Sequence, residues 1–193
     1  MLNLKDKVAI VTGAGTVGPG WGNGKATAVL LARQGAHVFC TDINTRAAED
    51  TCAIITKEGG SCTAHTCDMT ATDSVKAAVD ACMARYGRID ILINNVGGSA
   101  PGDPVNMSEE VWDSQIDHNL KSAFLGCKHV LPVMEKQGSG AIVNVSSVRA
   151  SVIRSMAGCT SPTAQPSRDC WALPAPPPSP MSKKAYVAIW SSW

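Results

Sequence analysis

The 193-residue sequence is short of net charge: 17 Lys and Arg stand against 16 Asp and Glu, leaving +1 at pH 7. Nothing in that balance calls for a nucleic-acid or acidic-membrane partner. No apolar run is long enough to cross a bilayer, and MLNLKDK leads straight into the first apolar stretch without a signal or transit pattern. A cytoplasmic chain is expected. The eight cysteines, at 40, 52, 62, 67, 82, 127, 159 and 170, include no CxxC pair. That spacing argues against a zinc or redox centre, so no metal ligands are expected. A cytosolic protein of this size does not need disulfides, and the thiols read as small apolar residues. What remains is ordinary: 45% apolar residues, enough to build the core of one domain.

The informative stretch is Lys7 to Asp42, KVAIVTGAGTVGPGWGNGKATAVLLARQGAHVFCTD. The apolar run Val8 to Val11 predicts a strand. A glycine-rich loop follows, then an Ala- and Leu-rich helical pattern, then a second strand over His37 to Thr41 that ends on Asp42. Strand, glycine turn, helix, strand and acid make a dinucleotide-binding unit. Glycines let backbone N–H groups approach a pyrophosphate, and the helix N-terminus adds partial positive charge. A carboxylate closing the second strand can accept both adenosine ribose hydroxyls and repels a 2′-phosphate. The expected cofactor is therefore NAD, with NADP less favoured.

Further elements follow in alternation. Thr45 to Glu58 reads as a helix stopped by Gly59-Gly60, Ser61 to Cys67 as a strand, and Ser74 to Tyr86 as a helix ended by Gly87. Asp90 to Asn94 reads as a buried strand, and a long helix begins at Ser108-Glu109-Glu110, whose acids suit a helix N-terminus. Its apolar stripe runs Trp112, Ile116, Leu120, Phe124, Cys127, Leu131 and Met134, with core packing as the default reading. Ala141 to Val145 is a fifth strand. The fold class is α/β, a Rossmann-like doubly wound parallel sheet in the order 3-2-1-4-5.

Five motifs together resemble the short-chain dehydrogenase/reductase family over about residues 4 to 153. Thr12-Gly13 with Gly22-Asn23-Gly24 resembles the TGxxxGxG cofactor loop, with Val17 to Trp21 as an insertion that either folds over the cofactor or bulges into solvent. Asp68-Met69 resembles the pair placed against the adenine; helix capping is an equally sound role for the acid. Asn95-Val96-Gly97, after Asn94, resembles NNAG, which steadies the sheet and approaches the cofactor. Asn119, in HNLKSAF, matches the asparagine that helps hold a water leading to the active-site lysine. Ser147, in the Ser146-Ser147 pair that follows Ala141 to Val145 and resembles GxIVNxSS, matches the catalytic serine that hydrogen-bonds the substrate oxygen. The resemblance implies hydride transfer between a nicotinamide cofactor and a small alcohol or carbonyl substrate. It also implies homo-oligomers among intact relatives, with the long helix as a dimerising surface.

The resemblance breaks where the family carries Tyr-x-x-x-Lys. There the tyrosine is the general acid/base, and the lysine lowers its pKa. The only later tyrosine, Tyr186, has no lysine four residues on. From Ser151 onward, seven of the eleven prolines accumulate, including Pro176-Pro177-Pro178, which excludes helix there. A shifted reading frame explains this. Read from the third base of each codon, Asp169 to Ala172 must give Leu-Leu-Gly, and Gly158 to Ser167 can give a stretch containing Tyr-Ser-Ala-Ala-Lys. The sequence thus divides into an NAD-binding domain at 1–153 and an aberrant Pro-rich tail at 154–193. The family's C-terminal strands are expected to be missing, leaving an exposed edge beside Ala141 to Val145. Turnover is expected to be impaired or absent. The alternative is a non-catalytic dinucleotide-binding protein whose tail engages a partner.

Overall fold

The computed structural model describes residues 3–101, 105–147 and 185–192. Its elements in order are β1 (Val8–Thr12), α1 (Asn23–Arg33), β2 (His37–Asp42), α2 (Thr45–Lys57), β3 (Ser61–Thr66), α3 (Thr72–Tyr86) and β4 (Ile91–Asn94). Then come α4 (Glu109–Ile116), a π-helical turn (Asp117–Lys121), α5 (Ser122–Gln137), β5 (Gly140–Ser147) and β6 (Ala185–Ser192).

The sheet is parallel, in the order β3-β2-β1-β4-β5-β6. The expected 3-2-1-4-5 order is present. Every residue of β1 is buried, because both faces of the sheet are covered. Alternation then sorts the strand between two apolar layers. Val8 and Ile10 join Val75, Val79, Leu125, Val130 and Met134 on the α3 and α5 side. Ala9 and Val11 join Ala28, Val29, Val38 and Ile55 on the α1 and α2 side.

The foot of the sheet is tied by Asp90, a buried acid at the start of β4. Its Oδ2 accepts from the Val8 N–H at 3.0 Å and from Arg88 Nε at 2.7 Å, while Oδ1 meets Arg88 at 2.6 Å and Lys7 Nζ at 3.3 Å. Burial alone would raise its pKa. The Arg88 guanidinium, the Val8 N–H and Lys7 outweigh that and hold the carboxyl below its ordinary value.

Three expectations are corrected. The open edge beside Ala141 to Val145 is covered, since β6 pairs with β5 from Gly140↔Ala185 to Ser147↔Ser192. The sequence AYVAIWSS contains no proline or charge and is rich in strand formers, a local signal that the tail's overall composition hides. The rest of the tail, including Pro176-Pro177-Pro178, lies outside the described residues.

The second correction concerns the long helix. A π turn over Asp117–Lys121 rotates the face that follows it. The buried face of α5 is Ser122, Ala123, Leu125, Gly126, Val130 and Met134. Trp112 and Phe124, read as core, are instead 37% and 46% exposed.

The third is the thiols. Cys52 and Cys62 form a disulfide between α2 and β3, with Cα atoms 5.3 Å apart. Their contact comes from packing α2 on the sheet, which cysteine spacing does not reveal. Cys40, Cys67 and Cys82 are free and buried, as small apolar residues would be. Burial pushes the Cys82 thiol up to about 12, consistent with an inert core position.

Candidate functional site

The carboxyl ends of the parallel strands share one edge, and β1 and β4 lie where the strand order reverses. Open α/β sheets bind ligands at that crevice. Thr12, Asp42, Asn94 and Ser147 close β1, β2, β4 and β5 there.

Above β1 the chain turns through Gly13 at φ +59°, a conformation glycine adopts freely. Gly22 is the N-cap of α1, and Gly24 is buried in its first turn. A Cβ on Gly24 would overlap the Gly13 carbonyl oxygen and stand 2.6 Å from Asn95 Nδ2. Packing against the Gly13 turn therefore requires glycine at position 24. Within the insertion, a Cβ on Gly18 or Gly20 would meet nothing within 4 Å. The insertion bulges outward, with Val17 and Trp21 exposed and Lys25 Nζ 5.7 Å from the centroid of a Trp21 ring. Neither a side-chain cap nor a first-turn acid sits at the start of α1. Its N–H groups are left for an anion, so the residues present fit a dinucleotide pyrophosphate.

Asp42 ends β2 half-buried. Its Oδ2 accepts from the Gly15 N–H and its Oδ1 from the Asn44 N–H, both at 2.9 Å. The carboxylate is thereby fixed beside the glycine loop. Gly15 belongs to this site and was not singled out from the sequence; a Cβ there would collide with Ala47. The Thr12-Gly13-Ala14-Gly15 spacing is the signal that could have found it.

Two of the expected contacts lie beneath the loop. Thr12 is 1% exposed, and its hydroxyl accepts from the N–H groups of Asn95 at 3.0 Å and Val96 at 3.3 Å. Asn95 returns the tie, donating from Nδ2 to the carbonyls of Thr12 and Gly13, each at 3.1 Å. Thr12 and Asn95 thus clamp the glycine loop to the end of β4. Thr12→Val, which leaves two N–H groups without their acceptor, is expected to cost about 1–3 kcal/mol, read from the urea unfolding midpoint. Met69 is likewise buried, in the apolar layer with Cys67 and Leu125.

Asp68 does not cap α3, whose N-cap is Ala71. Its Oδ1 instead accepts from the Thr70 hydroxyl at 2.7 Å and the Thr70 N–H at 2.8 Å, and these bonds hold its carboxyl below the ordinary range. The turn leaves Asp68 partly exposed on the edge where the other site residues gather.

Asn119 sits inside the π turn, a device that often marks functional positions. Its Oδ1 accepts from the Gly98 N–H at 3.1 Å, and its Nδ2 donates to the carbonyls of Gly98 at 3.0 Å and Gln115 at 2.9 Å. A Cβ on Gly97 would come within 2.9 Å of Asn119 Oδ1. The structure therefore joins Asn119 to the Asn95-Val96-Gly97 loop. Below them Asn94 Nδ2 donates to Asn144 Oδ1 at 2.9 Å, bracing β4 against β5. Neither of these two was singled out as a site residue, although Asn94 heads the NNAG-like motif and Asn144 lies within the strand Ala141 to Val145. Ser147 closes β5 in the backbone register; the role expected of its hydroxyl lies outside what the structure describes.

Fold and edge together define a doubly wound, dinucleotide-type α/β domain. The family model for short chain dehydrogenases matches residues 7–160, and the chain belongs to that family. It is 38% identical over 151 residues to a 3-oxoacyl-(acyl-carrier-protein) reductase of Thermotoga maritima, covering 76% of this chain and 58% of that one. It is 39% identical over 149 residues to D-threitol dehydrogenase of Mycolicibacterium smegmatis, covering 77% and 55%. The chain thus spans a little over half the length of these curated relatives. Among solved structures, a short-chain dehydrogenase/reductase from Burkholderia xenovorans matches with TM-score 0.85 and 39% identity over 98% of this chain and 75% of that one. A metagenomic short-chain oxidoreductase in complex with NADP matches with TM-score 0.85 and 27% identity, covering 97% and 82%. Among the described residues no helix is long and apolar enough to cross a membrane.

Proposed function

We propose that this chain binds NAD in preference to NADP at the β1–β4 crevice and descends from oxidoreductases acting on small alcohols or carbonyls. The observation that carries the cofactor choice is Asp42, held by the Gly15 and Asn44 N–H groups beside the glycine loop. A fixed carboxylate accepts hydrogen bonds from ribose hydroxyls and repels a phosphate on the same ribose. The N–H groups at the start of α1 would hold the pyrophosphate, and Asp68 lies at the edge open to the adenine. The cofactor, when bound, supplies or accepts a hydride.

Asn119 would order water at the loop after β4, and Ser147 would orient the substrate oxygen. Without Tyr-x-x-x-Lys the chain has no assigned group to move the substrate proton, so turnover is severely reduced. The reading keeps 1–153 as the NAD-binding domain and 154–193 as an aberrant tail whose residues 185–192 nonetheless pair with β5 as β6, with a cytoplasmic setting. Self-association like that of intact relatives also belongs to it.

The cofactor choice is tested by titrating NAD and NADP against the wild-type chain and Asp42→Ala. NAD is expected to bind at least about tenfold more tightly to wild type, a difference of about 1.4 kcal/mol. That ratio should collapse in Asp42→Ala. Equal affinities in the wild-type chain, or tighter NADP, would contradict the assignment.

A further inference from the structure

Three sulfur atoms that the dinucleotide site does not use converge beneath the second strand. Cys40 lies on β2, Cys52 on α2 and Cys62 on β3, and their Sγ atoms all fall within 4.8 Å of one another. Sheet register explains the meeting. Val38 pairs with Cys62 and Cys40 with Ala64, which sets Cys40 and Cys62 diagonally on the face that α2 covers. Cys40 Sγ is 3.4 Å from Cys62 Sγ. Cys40 is fully buried, whereas Cys52 and Cys62 are half-buried and give the cluster a route to solvent.

We propose that, once the Cys52–Cys62 bond is reduced, these three side chains form a three-coordinate site for a soft monovalent cation, copper(I) in class. Soft sulfur donors select such ions over hard cations, which require oxygen. An ion about 2.3 Å from each of three sulfurs in a trigonal plane sets those sulfurs about 4.0 Å apart. Cys40 and Cys62 stand 3.4 Å apart and no pair exceeds 4.8 Å, so reaching that separation requires chiefly that the bonded Cys52 and Cys62 sulfurs part on reduction. A closed zinc site needs a fourth ligand, and among the described residues the cluster supplies three. The carboxylate of Asp42, two residues along β2, is already committed to the Gly15 and Asn44 N–H groups.

The chemistry balances. A dithiol reductant such as dithiothreitol gives two electrons and two protons to the Cys52–Cys62 bond and leaves as its cyclic disulfide. Copper(I) then replaces the protons of Cys52 and Cys62, which pass to solvent, while buried Cys40 donates a sulfur lone pair. The loaded site carries one net negative charge. Disulfide and metal are therefore mutually exclusive occupants.

The test uses the full 193-residue chain. It is reduced with dithiothreitol, desalted without oxygen, and mixed with the copper(I) complex of bathocuproine disulfonate, whose absorbance falls as copper leaves it. The reduced chain is expected to withdraw about one copper ion, and the unreduced chain none. Cys40→Ser should weaken retention at least about tenfold, and Cys62→Ser serves the same purpose if the first variant does not fold. Cys82→Ser, in the apolar layer on the other side of the sheet, should bind as wild type does. Failure of the folded, reduced chain to withdraw copper overturns the site. So does equal retention by the unreduced chain, or by a folded Cys40→Ser or Cys62→Ser variant.

Discussion

Asp90→Ala is expected to cost about 2–4 kcal/mol of folding stability. Asp90 is 6% exposed and receives the Val8 N–H at the start of the central strand. Its removal leaves that buried donor without an acceptor, which is the larger part of the loss. Arg88 and Lys7 retain 45% side-chain exposure each, so both cations reach water and the ion pairs themselves contribute less. Asp90→Asn keeps an oxygen for Val8 and should recover roughly half of the loss. The urea unfolding midpoints of the two variants check the order. Acid provides a second reading. Asp90 has a folded-state pKa depressed below 3.8, so its contribution is complete above that value and disappears as pH falls through the folded pKa. Wild type should lose stability relative to Asp90→Asn in that acidic window. A difference unchanged between neutral and strongly acidic pH would contradict this account of the carboxylate.

The second large effect concerns catalysis. A chain lacking its proton-transfer tyrosine is expected to turn over at least about 10²-fold more slowly than one that has it, since a positioned acid/base group contributes about 10²–10⁴-fold. The comparison is internal to this sequence. One protein is the 193-residue chain; the other carries, from about residue 158, the residues decoded in the alternate frame, which restore Tyr-Ser-Ala-Ala-Lys. Both are offered NAD and a set of secondary alcohols, and NADH absorbance is followed. Turnover of the present chain equal to that of the restored one would show that another group moves the proton, or that the tail is functional as it stands. Sequencing the coding DNA across codons 149 to 193 bears on the same question from the other side.

Most of the sheet was readable because its signals are local. Val8 to Val11 and His37 to Thr41 each fall within one residue of the observed strands, since short apolar runs between glycine turns and helical patterns leave few alternatives. Gly24 was readable as part of a glycine motif at the head of the helix. Its physical reason, the overlap of a Gly24 Cβ with the Gly13 carbonyl, appears only in three dimensions. Where the sequence misled, a longer-range fact had won. The stripe through Trp112 and Phe124 keeps helical spacing, but the π turn inserted between them changes which residues face the sheet. Cys52 and Cys62 are ten residues apart with no motif to join them; the packing of α2 against β3 does so. Thr12 was legible as part of a cofactor motif, yet its hydroxyl is spent on Asn95 and Val96. Motif position locates a loop more reliably than it tells which of its atoms face the ligand.

The most direct measurement is a titration of the purified, folded 193-residue chain with NADH, followed by nicotinamide fluorescence or calorimetry. Saturable binding at a single site with a micromolar dissociation constant, about 8 kcal/mol of binding free energy, is the expected result. A folded chain that shows no saturable uptake of NADH would contradict the reading of Gly13 to Gly24 and Asp42 as a dinucleotide cradle.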